Sequence, residues 1–291
     1  MEEQFDKEIH ALAQQYYKKQ LTKRQVMINP KILILPDIHG RAFYQKALSE
    51  AVDKGAEIVC LGDYLDPYPG DDLHERGVFA PLKELVEVKK LHPGRVHLLI
   101  GNHDSSYMLN RHLCEHRYDY KQGPFYMKFF RENYDLFELA YMTEVNGKRF
   151  MFSHAGISKY WLKNNEQFFG TDVSDPEKIL ALLDNGLKLY KQDAHNDALL
   201  RVLAQIGMGR GGRYLDGSMI WADLDEYVSD KSFPWDDVIQ IFGHTQQNLH
   251  PVCIGGRAYC LDCRQPFYID MEGVLRSYYW DDKPVNAGKV E

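Results

Sequence analysis

Three times between residues 31 and 100 a short, unbroken apolar run ends in a polar cluster and gives way to helical spacing. The runs are Lys-Ile-Leu-Ile-Leu at 31–35, Ile-Val-Cys-Leu at 58–61 and Val-His-Leu-Leu-Ile at 96–100. Continuous apolar runs of this length mark strands buried on both faces. Helical spacing follows at 41–54, closed by Gly55, and again at 81–91. Strand, polar loop and helix repeating in this order predict βαβ units and a parallel sheet.

Later segments change the pattern. Residues 139–145 and 148–153 flank Asn146-Gly147, the favoured pair for a two-residue hairpin turn. Further strands are expected at 238–242, 258–261, 267–271 and 274–279. Between the hairpin and these strands, Ser174-Asp175-Pro176-Glu177 carries a helix-start signature. It is followed by the stripe Ile179, Leu182, Leu183 and Leu187. Leu199, Leu200, Leu203 and Ile206 predict another helix, ended by the glycine-rich stretch 207–213. The segment 157–235 is therefore expected to be a helical cap inserted into the main domain, 31–280. Phe5, Ile9, Leu12, Ala13 and Tyr16 predict a helical extension within 1–30, and 281–291 is expected to be a tail. Phe125, Tyr126, Phe129 and Phe130 have helical spacing and read as core.

Composition is that of an ordinary globular chain: 291 residues, 44% hydrophobic and 26% charged. That length fits one large domain. Lys and Arg number 35 against 42 Asp and Glu, a net charge of -7. This balance disfavours nonspecific grip on a nucleic-acid backbone, which needs a basic face. Five cysteines form no even, dense disulfide framework, so a reducing compartment is expected. Cys260-x-x-Cys263 lacks the second pair a structural zinc site needs. An acidic beginning without an apolar segment, and no run long enough to span a bilayer, point to a soluble, cytoplasmic protein.

Five polar motifs stand at carboxyl ends of expected strands: Asp37-Ile38-His39, Gly62-Asp63-Tyr64-Leu65-Asp66, Gly101-Asn102-His103-Asp104, Ser153-His154-Ala155-Gly156 and Gly243-His244. Ligands of α/β sheets bind beyond these strand ends. Oxygen and imidazole donors without thiolates suit Mn, Fe, Zn or a similar divalent ion. Asp71-Asp72 is read as a solvated loop beside this cluster.

Taken together, the motifs resemble the calcineurin-like metallophosphoesterase superfamily, over roughly 32 to 270. The pattern is most similar to the branch of serine/threonine protein phosphatases and symmetrical dinucleoside tetraphosphatases, through Gly62–Asp66 and Trp221-Ala222-Asp223. Other branches end in Gly-His-x-His, and here the last position is Gln246. The resemblance implies an α/β sandwich of two mixed β-sheets packed face to face and flanked by helices. It implies two divalent metal ions, with Asp37 and His39 on one, Asn102, His154 and His244 on the other, and Asp63 bridging both. His103 would be the general acid, oriented by Asp66, which would also favour its protonated form. Hydrolysis of a phosphate ester by a bridging hydroxide follows.

Two positions depart from the family pattern. Pro67 stands where the protein phosphatases carry a phosphate-binding arginine, and Pro36 where a glycine commonly precedes the first aspartate. Arg76, Arg210 and Arg213 are the candidate replacements, because a guanidinium fork binds phosphate bidentately. A phosphomonoesterase acting on a phosphoprotein, nucleotide or small phosphoester is expected. The alternatives are a dinucleoside polyphosphate hydrolase and a non-catalytic metal-binding scaffold.

Overall fold

In the computed structural model, residues 27–109, 113–114, 116–193, 196–227, 232–247, 250–279, 285 and 288–289 are described. The stripe from Phe5 to Tyr16 and most of 281–291 lie outside them. The strands are β1 (Pro30–Leu35), β2 (Glu57–Cys60), β3 (Val96–Leu99), β4 (Phe137–Glu138), β5 (Ala140–Val145), β6 (Lys148–Ser153), β7 (Val238–Phe242), β8 (Val252–Ile254), β9 (Ala258–Cys260), β10 (Phe267–Asp270), β11 (Leu275–Ser277) and β12 (Gly288–Lys289). They form two six-stranded sheets, ordered β11-β10-β1-β2-β3-β4 and β12-β8-β9-β7-β6-β5. β1 through β4 run parallel, while β10 joins β1 antiparallel. In the second sheet β6, β7 and β9 are parallel and β5 closes on β6 as the expected hairpin. Asn146 and Gly147, at φ 51° and 73°, make its turn.

The alternation of side chains along β1 builds two layers of core. Ile32 and Ile34 meet Phe150, Phe152 and Ile241 of the opposite sheet. Leu33 and Leu35 point the other way, into a cluster with Leu48 of α1 (Gln45–Lys54) and Leu82 and Leu85 of α2 (Ala80–Leu91). Each large apolar side chain fully buried in these layers contributes roughly 1.5–3 kcal/mol. The two crossover helices thus cover one sheet while the other sheet covers its opposite face. α1 starts four residues later than its spacing suggests. Arg41 is drawn off instead, its guanidinium donating to the Asp37 and Ile38 carbonyls at 2.9 and 3.1 Å.

Two elements carry little sequence signal: α3 (Asn102–Met108), which begins inside the third polar motif, and the two-residue β4. α4 (Gly123–Glu132) contains the aromatic group. Tyr126 and Phe130 are core, but Phe125 is half exposed and packs edge-on against Phe79.

The helices expected over 157–235 are α5 (Lys159–Asn164), α6 (Glu166–Phe169), α7 (Pro176–Gln192) and α8 (Ala198–Leu203). α7 is capped by Asp175, whose carboxylate accepts from the Glu177 and Lys178 amides, one residue beyond the serine of the start signature. Ile179, Leu183 and Leu187 are buried in the same cluster as Leu139 and Met151, so these helices line the second sheet. No described helix is long and apolar enough to cross a membrane.

Candidate metal centre

The loops leaving β1, β2, β3, β6 and β7 meet at one edge of the sandwich. The backbone there is forced into unusual shapes. His39, Asp63, Asp66 and His244 all have positive φ, between 45° and 65°. A side chain in the left-handed region is strained, and such strain persists where the surroundings impose it for function. Hydrogen bonds between loops do the imposing. The His39 and Gly40 amides donate to the Asp63 and Tyr64 carbonyls at 2.7 and 2.9 Å. Asp104, fully buried, accepts from the amides of Asp63, Tyr64 and Gly101 at 2.7, 3.0 and 2.9 Å. Two glycines are required by close approach. A Cβ on Gly101 would lie 2.1 Å from Asp63 Oδ1, and one on Gly243 2.1 Å from Asp37 Oδ1.

All six residues expected as ligands are brought together and buried: Asp37, His39, Asp63, Asn102, His154 and His244. Asp63 belongs to two donor groups, one with Asp37 and His39, the other with His154 and His244. Within each group the donor atoms lie within 4.8 Å of one another. Asp63 Oδ1 is tied down by the His103 amide at 3.0 Å. Its Oδ2 stands 3.6 Å from both His39 Nε2 and His154 Nε2. Each of those rings presents Nδ1 to a carbonyl at 2.7 Å, His39 to Leu65 and His154 to Leu61. A donor hydrogen on Nδ1 leaves Nε2 with a bare lone pair.

Around the second group three acceptor-type atoms crowd together. His154 Nε2 lies 3.0 Å from Asn102 Oδ1 and 3.1 Å from His244 Nδ1, which is itself 3.1 Å from Asn102 Oδ1. At most one hydrogen, on His244, is available to these three atoms. Convergent lone pairs without protons are what a cation needs, so the residues present fit a metal. Burial lowers the pKa of His39, His154 and His244, reinforced by Arg41 at His39 and by His154 at His244. The imidazoles are thereby held neutral, the form that ligates. Burial raises Asp63, and the Asp37 charge raises it further.

His103 lies beside this cluster with Nδ1 2.9 Å from Asp66 Oδ2. The other Asp66 oxygen accepts from the Tyr107 hydroxyl at 2.5 Å. Burial lifts the Asp66 carboxyl to about 7. Contrary to the effect expected from Asp66, the His103 pKa is lowered well below the ordinary range, by burial first and by the Arg117 charge second.

The candidate arginines separate. Arg76 is largely exposed, 3.9 Å from Glu84 on α2. Arg213 is exposed and lies 5.6 Å from the Tyr214 ring centroid. Arg210 reaches the site's border, donating to Thr245 Oγ1 at 2.6 Å, but Asp223 holds it at 2.6 Å. Trp221 of the same stretch stands edge-on to His244 at 5.8 Å.

Sequence reasoning missed Tyr107, Tyr68 and Arg117. Arg117 Nη2 is 3.0 Å from His103 Nε2, and its guanidinium lies 3.5 Å from the Tyr68 ring centroid. A helix at 102–108 would have flagged Tyr107, four residues after His103 and so on the same face. Nothing local marks Arg117. Asp71 is also corrected. Its side chain is buried 3.9 Å from Arg41 and accepts from the Tyr68 amide at 2.9 Å, so only Asp72 is a solvated loop charge.

An α/β sandwich with acidic, amide and imidazole donors at its strand ends is the frame of a metal-dependent hydrolase. Residues 30–248 match the family model described as calcineurin-like phosphoesterase, and the chain belongs to that family. It is 28% identical over 180 residues to a probable serine/threonine-protein phosphatase of Encephalitozoon cuniculi (strain GB-M1), a match covering 60% of this chain and 33% of the relative. The chain thus spans about a third of the length of the curated relative it matches. Its fold is similar to that of a cold-active protein-tyrosine phosphatase of a psychrophilic Shewanella species, at TM-score 0.53 and 17% identity, covering 90% of this chain and 83% of that one. A second structure described as a cold-active protein tyrosine phosphatase gives TM-score 0.52 and 17% identity, covering 87% and 81%.

Proposed function

We propose that the chain hydrolyses a phosphate monoester at a dinuclear metal centre. Asp37 and His39 would hold one divalent ion, Asn102, His154 and His244 the other, and Asp63 both. The observation that carries the reading is Asp63, whose Oδ2 is equidistant from the open nitrogens of His39 and His154. Divalent ions there supply Lewis-acid chemistry, activating water and neutralising phosphoryl charge. His103 Nε2 would give a proton to the leaving oxygen as the ester P–O bond breaks, once the charge of the phosphoryl group offsets the burial and the Arg117 charge that lower its pKa. Asp66, fixed by Tyr107, keeps the ring turned so that Nε2 and not Nδ1 faces outward.

The protein-phosphatase relative favours a phosphoprotein or similar monoester over a dinucleoside polyphosphate. A buried His–Asp pair beside the donor cluster disfavours a purely structural metal scaffold, which has no need of a proton donor. The accompanying domain division is one catalytic unit over 31–280, with the insertion 157–235 bordering the site at Arg210 and Trp221. A cytoplasmic setting suits five buried free cysteines. The test is turnover of p-nitrophenyl phosphate by purified protein with Mn, Fe or Zn. Phosphopeptides and dinucleoside polyphosphates run beside it separate the substrate classes. No turnover with any metal sinks the proposal.

A further inference from the structure

Pro67 leaves the second motif without its arginine, yet a guanidinium does stand at that place. Arg117 comes from the loop between α3 and α4, and its Nη1 donates to the Asp66 carbonyl at 2.5 Å, directly before Pro67. Its plane is stacked on Tyr68, directly after Pro67, at 3.5 Å. Nη2 reaches His103 Nε2 at 3.0 Å. Arg117 itself has φ 61°, a backbone shape a non-glycine residue avoids unless held there.

Two features separate this residue from a structural plug. Among the described residues no carboxylate forms an ion pair with it, whereas Arg210 is paired with Asp223. And the nitrogen it occupies on His103 is the one that must meet a leaving oxygen, because Asp66 engages the other. With divalent ions bound nearby, the surroundings of Arg117 become more cationic, and the complement to an unpaired guanidinium there is an anion.

We propose that Arg117 is the phosphate-binding arginine of this protein, supplied from a separate loop in place of residue 67. In the free protein it rests on His103 Nε2. An arriving phosphoryl group offers it oxygens, draws it away and clears Nε2 for the leaving group. Tyr68 is the platform along which the guanidinium moves. The inference rests on the phosphoesterase reading and deepens it.

The experiment uses Mn-loaded protein and inorganic phosphate, followed by calorimetry, with p-nitrophenyl phosphate turnover in parallel. Arg117→Ala is expected to weaken phosphate binding and raise KM about 10- to 100-fold. Metal content should stay at the wild-type value. Added guanidinium should restore part of the turnover to Arg117→Ala and none to the wild type, a rescue a structural role would not show. Arg117→Lys, which keeps charge but not the fork, should fall between and decides the matter if the alanine variant misfolds. Equal phosphate affinity in wild type and variants overturns the inference. So does a wild type that binds no phosphate. Turnover with unchanged affinity in Arg117→Ala removes only the arginine's role, whereas Arg117-dependent binding without turnover removes only the hydrolase reading.

Discussion

Asp66 Oδ2 meets His103 Nδ1 at 2.9 Å, and that one contact decides which nitrogen of the ring faces the site. The carboxylate is not free to drift, because Tyr107 holds its second oxygen. The pair comes from the loop after β2 and the first turn of α3, which Asp104 locks together.

His103→Asn should lower kcat by roughly 10²- to 10⁴-fold, the usual worth of a general acid. His103 is in neither donor group, so metal content by plasma mass spectrometry should match the wild type. Loss of metal together with activity would move His103 into the ligand set.

Tyr107→Phe removes the hydroxyl that pins Asp66 without touching the donor groups. About a 10-fold fall in kcat is expected, in line with one strong hydrogen bond. KM should hold. A KM effect larger than the kcat effect would place Tyr107 against the substrate instead.

Asp63→Asn should strip both ions together, with affinity lowered by roughly 100-fold or more, since ligand-sphere changes of even outer groups cost 10- to 100-fold. His39→Ala should reduce only one of the two. Equal, partial loss in both variants would argue for a single-ion centre.

Gly101→Ala adds only a methyl group, yet it would sit 2.1 Å from Asp63 Oδ1. The expected result is loss of metal and turnover while circular dichroism keeps the wild-type spectrum. Gly147→Ala, with positive φ but open space around its Cβ, is the comparison for a glycine required by backbone shape alone, since Gly101 has negative φ.

On β4, Glu138 accepts from Lys89 and His97 at 3.2 and 3.1 Å. Burial alone would raise its carboxyl. The His97 hydrogen bond and the His97 and Lys89 charges outweigh it, and the pKa falls below its ordinary value of 4.5. A depressed folded pKa contributes stability above that value, lost as pH falls through the folded pKa. Glu138→Gln should therefore cost ~1–3 kcal/mol in urea melts at pH 7 and little once the pH has fallen through the folded pKa. An equal cost at both pH values would refute the charge argument.

Legibility in the sequence followed physical locality. The six donors were readable because buried parallel strands announce themselves as apolar runs, and their carboxyl ends are where ligands gather. α3 was hidden because Asn-His-Asp-Ser-Ser-Tyr-Met has no apolar stripe. All seven residues are nevertheless buried, with the Asn102, His103 and Asp104 side chains turned to the site and the Ser105 and Ser106 hydroxyls on nearby carbonyls. With that helix unseen, the i to i+4 relation of His103 and Tyr107 was unseen too. Arg117 reaches the site across 51 positions of chain from Asp66, a distance no local pattern encodes. Arg76, by contrast, lay near the motif in sequence and turned outward in space.

Asp37, His39, Asp63 and Asn102 hang from one sheet, while His154 and His244 hang from the other. Any ion shared across that divide is a rivet through both leaves of the sandwich. Its binding energy then counts directly against separation of the leaves, up to ~4 kcal/mol at a thousandfold excess over Kd. Melting temperature becomes a gauge of occupancy that needs no substrate, and it reads equally well on a variant with no turnover at all.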